Sequence, residues 1–221
     1  MAKGKRFLRD NGLSIALLVL FGLSLIGHSI AGHLHSNEEA REHGQPLSSF
    51  GQYLTSGDFL ESVFENWESE FLQMGAYVLL AALLFQRGSG ESRDPDANPA
   101  EEEDDLKAEP DSPASVKRGG LRLKLYSHSL SITFLSLFVL SFVLHAWAGV
   151  AAHNKEAQQH GQPGKTLGEY FVSSTFWFES FQNWQSEFLS VATLVLLSIW
   201  LREKGSPESK PVKAPHSRTG K

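Results

Sequence analysis

Four blocks of apolar residues divide this chain, and the charged residues fall between them. The blocks cover residues 13–31, 71–85, 130–149 and 188–201. A bilayer core of roughly 30 Å needs about 20 residues of helix, so the first and third blocks are long enough to cross it. The other two lengthen to about 67–86 and 184–201 when Trp67 and Trp184 are counted as interfacial anchors. The pattern predicts an all-α integral membrane protein with four transmembrane helices.

The basic residues are distributed unevenly around these blocks. Of the 20 Lys and Arg residues, all but Arg41, Lys155 and Lys165 precede the first block, join the second to the third, or follow the fourth. Because cytoplasmic loops carry an excess of basic residues, this predicts a multi-pass protein of the cell inner membrane with both termini in the cytoplasm. A cleaved signal peptide ending near Ala31 is the alternative, but the apolar run is longer than such segments usually are.

The two halves of the chain repeat each other. A shift of 117 residues aligns HSIAGHLHSNEEAREHGQP at 28–46 with HAWAGVAAHNKEAQQHGQP at 145–163, and FENWESEFL at 64–72 with FQNWQSEFL at 181–189. Each copy contains two predicted spans, so both copies enter the membrane from the same side. The sequence therefore predicts two parallel-repeat helical hairpins that pack as a four-helix bundle.

The hairpins set the predicted domain boundaries. They are a basic N-terminus (1–10), hairpin repeat 1 (11–88), a disordered acidic linker (89–120), hairpin repeat 2 (121–205) and a disordered basic tail (206–221). Gly44 and Gly161 are predicted to end the first helix of each hairpin. Asp58 and Thr175 are predicted to cap the returning helices, which would project as stubs outside the membrane.

Paired acids at the membrane boundary are the first candidates for chemistry. Glu70 and Glu187 are aligned, and each is the last acidic residue before its apolar block. Ionisable groups at membrane depth commonly serve proton or ion pathways, although pairing with a neighbouring polar side chain is the more ordinary role. The aligned polar residues beside them complete this candidate ion or proton site: Asn66, Asn183, Ser69 and Ser186.

Histidines are the second candidates. His28 is aligned with His145, and His43 with His160. Histidine is a common ligand of zinc and other transition metals, and the first pair could also ligate a haem. The chain has no spacing diagnostic of a metal site, so these four residues are weak metal candidates and no cofactor is predicted.

Composition and missing motifs narrow the function further. The chain has no cysteine, which excludes disulfides and thiolate chemistry. The net charge of −5 arises mostly in the linker and indicates no nucleic-acid partner. Phosphate-binding loops, nucleophile elbows and kinase motifs are also missing, which makes an enzyme improbable.

The HGQP and NWxSEFL motifs, each present twice, resemble those of a family of small bacterial membrane proteins known as a domain of unknown function. The resemblance runs from about residue 7 to 88 and again from about 126 to 205. It implies a bacterial inner-membrane protein and supplies no activity.

Two functions are consistent with these features. The first is a non-enzymatic structural or assembly role, in which the extracytoplasmic helical head contacts another copy of the chain or an envelope protein. The alternative is a small ion- or proton-coupled transporter or channel that uses the paired boundary acids. In both cases the lipid bilayer is the principal partner.

Overall fold

The computed structural model describes residues 3–97 and 108–220. These residues form helices and connecting turns, and no strand occurs among them. The helices are α1 (Lys3–Asp10), α2 (Gly12–Glu42), α3 (Phe50–Leu54), α4 (Gly57–Leu83), α5 (Ala114–Arg118), α6 (Gly120–Ser127), α7 (Ser129–Gln159), α8 (Leu167–Phe171) and α9 (Ser174–Leu197). The expectation of an all-α protein is therefore confirmed for the described residues.

Two of these helices are long and apolar enough to cross a membrane, α2 and α7. Their apolar side chains are largely exposed: Leu18 and Leu20 in α2 are 68% and 60% accessible, and Val139 in α7 is 56% accessible. A helix inside a soluble core would bury such side chains. An exposed apolar surface of this kind is typical of a helix that contacts lipid or a partner protein.

The returning helices are shorter than the sequence suggested. α4 ends at Leu83 and α9 at Leu197, so the predicted spans 67–86 and 184–201 are only partly helical. Basic side chains satisfy backbone carbonyls near both ends, where the helix itself provides no partners. The Arg93 guanidinium donates to the Ala82 carbonyl, and Arg202 donates to the Ser198 and Ile199 carbonyls.

The helix boundaries follow the 117-residue shift. α2 and α7 both have 31 residues and begin and end at aligned positions, as do α3 and α8. Gly44 and Gly161 follow the first helix of each half with φ values of +65° and +64°, a conformation that favours glycine. The expected glycine stops are therefore confirmed at both positions.

The predicted caps of α4 and α9 are wrong by two residues. The Ser56 hydroxyl accepts the Phe59 amide, and the Ser173 hydroxyl accepts the Phe176 amide. Asp58 instead lies within the first turn of α4, where its carboxylate pairs with Lys155. Serine caps a helix as well as aspartate does, and two candidates lay close together in the sequence.

The described residues form two compact units. Where the structure describes them, the first is built from residues 3–62 and 147–166, and the second from residues 63–97, 108–146 and 167–220. In the first unit, Asn37 and Asn154 each accept the backbone amide of the residue eleven positions later, Ser48 and Lys165 respectively. The same side chain therefore fixes the turn after the long helix in each half.

The predicted linker and tail belong to the second unit where they are described. Residues 98–107 of the linker lie outside the described residues, and α5 falls within the described part. In the tail, the Lys210 ammonium is buried and donates to the carbonyls of Gly88, His216 and Arg218. Whether these segments are disordered in solution stays a prediction.

Candidate functional site

A buried histidine–carboxylate pair lies at the centre of the second unit. α7 positions His145 and α4 positions Glu68, and the side chains of both residues are fully buried. His145 Nδ1 lies 2.9 Å from Glu68 Oε2, a hydrogen-bonding distance. A carboxylate and an imidazole that are both removed from water stabilise each other's charged forms, since neither has solvent to do so.

The other oxygen of Glu68 is also engaged. Trp184 Nε1 in α9 donates to Glu68 Oε1 at 3.2 Å. Because the indole nitrogen only donates, Glu68 Oε1 must accept this bond, so Oε1 carries no proton. Glu68 is thus held from both sides, by α7 and by α9.

The second imidazole nitrogen has a different environment. His145 Nε2 is buried and makes no hydrogen bond among the described residues. Glu179 Oε2 lies 3.6 Å away, too far for a hydrogen bond but within ion-pair distance. The same Glu179 oxygen accepts the Tyr170 hydroxyl at 2.9 Å, and Tyr170 is itself fully buried.

Aromatic rings enclose the imidazole. The Phe176 ring centre lies 4.8 Å from that of His145 at an interplanar angle of 35°, and Phe176 is fully buried. Phe142 packs against Phe176 at 5.1 Å and against Trp184 at 6.2 Å. These rings exclude water, which strengthens every electrostatic interaction of the cluster.

A third carboxylate extends the cluster along α4. Asn183 Nδ2 donates to Glu65 Oε1 and to the Glu179 carbonyl. Burial raises the pKa of Glu65 above its ordinary value, and the nearby carboxylates of Glu179 and Glu68 add to this, while His145 and the Asn183 amide oppose it. The protonated form of Glu65 is therefore favoured more than that of an exposed glutamate.

Within the second unit, the cluster therefore brings the carboxyl groups of Glu65, Glu68 and Glu179 to one imidazole. If all four groups were ionised, the surplus negative charge would be held largely away from water, which is costly. An additional proton retained by the cluster would reduce that cost, and ionisable groups coupled in this way titrate as a unit rather than independently.

The histidine of the first half has a neutral environment. In the first unit, Ser62 Oγ lies 3.1 Å from His28 Nε2, and Phe59 packs on the ring at 5.4 Å. Phe59 and Ser62 are aligned with Phe176 and Glu179. The aromatic contact is thus repeated in both halves, but the acid is present in only one.

The comparison with known families covers nearly the whole chain. A family described as "Domain of unknown function (DUF6766)" matches residues 4–221, which includes both halves. The chain belongs to the DUF6766 family. No curated protein and no solved structure matches it.

The boundary acids predicted from the DUF6766 sequence form no hydrogen bond or ion pair with His145 or Glu68 among the described residues. Glu70 is exposed and Glu187 is part-buried. The Gln73 amide donates to the Glu187 carbonyl at 3.1 Å and to the Ser190 hydroxyl at 3.0 Å. No hydrogen bond or ion pair to either carboxylate is seen among the described residues, and a role for these acids stays a prediction.

The other predicted polar residues have mixed placements. Asn183 belongs to the cluster described above, whereas Asn66 is exposed. The hydroxyls of Ser69 and Ser186 donate to the carbonyls of Asn66 and Asn183, three residues earlier in their own helices. In the first unit, the rings of His43 and His160 lie with their centres 6.3 Å apart.

Sequence analysis found His145 but not its carboxylates. Glu65 and Glu68 belong to the same run as Glu70, and of these three acids Glu70 lies nearest the apolar block. A signal was present: the repeat aligns Glu65, Glu68 and Glu179 with Gln182, Gln185 and Ser62. In this chain, the acids present in only one half therefore mark the charged site more directly than the acids present in both halves.

Proposed function

We propose that this chain is a small proton-coupled transporter or channel of the bacterial inner membrane, with its proton-binding centre at His145, Glu68 and Glu179. The observation that carries this proposal is the buried ion pair between Glu68 of α4 and His145 of α7, the latter a helix long and apolar enough to cross a membrane. Ionisable groups at membrane depth are costly and most often mark a proton or ion pathway.

The proposal includes four spans in two like-oriented hairpins, with both termini in the cytoplasm. The exposed apolar surfaces of α2 and α7 support two of these spans. The internal repeat and the distribution of Lys and Arg support the remaining two and the orientation. In this arrangement α4 and α9 return through the membrane and bring Glu68 and Trp184 to His145.

The proposed proton path uses groups that are already in contact. A proton on the imidazole can pass from Nδ1 to Glu68 or from Nε2 toward Glu179, because the two nitrogens face different carboxylates. Glu65, part-buried and joined to the cluster through Asn183, connects it toward more accessible positions. The hydroxyl of Tyr170 orients Glu179.

Proton flux into proteoliposomes tests this directly. The purified full-length chain is reconstituted with an internal pH-sensitive dye, and a potassium diffusion potential drives proton entry. We expect His145→Gln and Glu68→Gln to reduce the flux at least tenfold. The matched control is His28→Gln, which changes the aligned histidine in its neutral environment and should preserve most of the flux.

Two results would overturn the proposal. One is a wild-type flux equal to that of protein-free liposomes across the pH range 5–8. The other is an equal loss in the His28 and His145 variants. Circular dichroism and gel filtration in detergent identify any variant that has lost its fold. Glu187→Gln, which changes a boundary acid outside the proposed centre, should preserve most of the flux.

An assembly role for the loops between the paired helices is the second candidate. Phe50 and Leu167 occupy aligned positions in α3 and α8, and both are exposed, at 43% and 47%. Apolar side chains at two equivalent positions outside the predicted spans suit contact with a second copy of the chain. Light scattering in detergent should give a smaller particle mass for the double variant Phe50→Ser/Leu167→Ser than for the wild type. Equal masses for the wild type and the double variant would contradict this role.

A further inference from the structure

The two HGQP turns bring an aligned pair of histidines together in the first unit. His43 follows the last residue of α2, and His160 follows the last residue of α7. Their ring centres lie 6.3 Å apart with an interplanar angle of 88°, and both residues are exposed. A transition-metal ion needs accessible imidazoles of this kind, and the proton-transfer proposal does not use them.

The hydrogen bond of His43 prepares it as a ligand. Its Nδ1 lies 2.9 Å from the Glu39 carbonyl oxygen. A carbonyl only accepts, so Nδ1 carries the proton, and in the neutral ring the lone pair is on Nε2. Histidines that bind metals typically donate the other ring nitrogen to a carbonyl or carboxylate in this way.

The backbone around the pair also favours a cation. Gly44 and Gly161 adopt the same left-handed conformation immediately after the two histidines, so each turn leaves its histidine at the carboxyl end of a 31-residue helix. The carbonyl end of a helix carries a partial negative charge. Two such ends stabilise a positive ion near His43 and His160.

The separation of the rings is suitable for one shared ion. Zinc binds an imidazole nitrogen at about 2.0–2.1 Å, which places it roughly 3.2 Å from the ring centre. Two rings on one ion then have centres about 5 Å apart in a tetrahedral site and about 6.4 Å apart in a linear one. The observed 6.3 Å falls at the upper end of this range, and small side-chain rotations shorten it.

We propose that His43 and His160 together bind one divalent transition-metal ion of the zinc, copper and nickel class. Water fills the remaining coordination positions, because both histidines are exposed. These metals prefer imidazole ligands, whereas magnesium and calcium prefer oxygen. The site joins the ends of the two long helices and is independent of the proposed proton centre.

Calorimetric titration of the full-length protein in detergent with Zn²⁺ tests the site. We expect one ion per chain, and at least tenfold weaker binding in His43→Gln and in His160→Gln. The matched control is His35→Gln, which removes an exposed histidine of the same helix α2 and should bind as the wild type does. Circular dichroism confirms that each variant remains folded.

Electron paramagnetic resonance with one equivalent of Cu²⁺ gives a second measurement. Two coordinated nitrogens in the wild type, reduced to one in either single variant, would support the shared site. The proposal is overturned if the double variant His43→Gln/His160→Gln binds Zn²⁺ as the wild type does, or if only one of the two single variants has weakened Zn²⁺ affinity. It is also overturned if the copper spectrum of the wild type shows a single coordinated nitrogen.

Discussion

Replacement of Glu68 by leucine gives the most direct measure of the buried cluster. Leucine removes the partner of His145 Nδ1 and of Trp184 Nε1 without adding any polar group. The side chains of Glu68 and His145 are fully buried, so water cannot take the place of the lost carboxylate. Breaking a buried ion pair from one side costs about 3–5 kcal/mol, and we expect a loss of unfolding free energy in that range.

Glu68→Gln removes the negative charge of the side chain while keeping its size. Its amide carbonyl still accepts from Trp184, so one of the two interactions survives, and we expect a loss of about 1–2 kcal/mol. Ser62→Ala provides the matched control at the aligned cluster, because it removes a neutral hydroxyl from His28 and should cost about 1 kcal/mol or less.

Unfolding by sodium dodecyl sulfate in mixed micelles measures these differences. Intrinsic tryptophan fluorescence follows the transition, and circular dichroism confirms that helix is lost in the same range. The reasoning fails if Glu68→Leu unfolds within about 1 kcal/mol of the wild type, since a buried pair would then contribute no more than an exposed one.

Three further changes test other parts of the molecule. Gly32→Ala should lower the unfolding free energy by about 1–3 kcal/mol, because its methyl group would overlap the Tyr53 hydroxyl, whereas Gly27→Ala in the same helix meets no neighbour and should not destabilise it. Asn154→Ala should cost about 1–3 kcal/mol by leaving the turn amide unpaired, and rapid amide exchange at that turn would verify it. Because the pKa of Glu65 is raised in the folded protein, the free energy of unfolding should fall as the pH rises from 4.5, the ordinary pKa of a glutamate, through the higher pKa of the folded state. Denaturation curves of Glu65→Gln at several pH values should lack this fall. A pH profile identical to that of the wild type would contradict the assignment.

The sequence predicted the helices most reliably where apolar runs were long and stop signals strong. The first block became α2 and the third became α7, and both helices end before glycines of positive φ. The ends of α4 and α9 were predicted less well. There, an apolar run continues beyond the helix, and arginine side chains from the following segment supply hydrogen bonds to the last carbonyls, as Arg93 does for Ala82.

The candidate site was predictable only in part. His145 was recognisable as a polar residue in an apolar block, and Asn183 as a polar residue beside one. The contact between His145 and Glu68 joins residues 77 positions apart in different halves of the chain. Helix periodicity gives the face on which each residue lies but not which faces meet, so this pairing required the structure.

The different surroundings of His28 and His145 give this protein an internal reference. One polypeptide presents the same phenylalanine–imidazole contact twice, once beside a hydroxyl and once beside carboxylates. An isotope-labelled sample would therefore report both rings in one spectrum, under identical lipid, salt and temperature. The difference between the two signals reports the combined effect of the acidic neighbours and of the deeper burial of His145, without any second preparation.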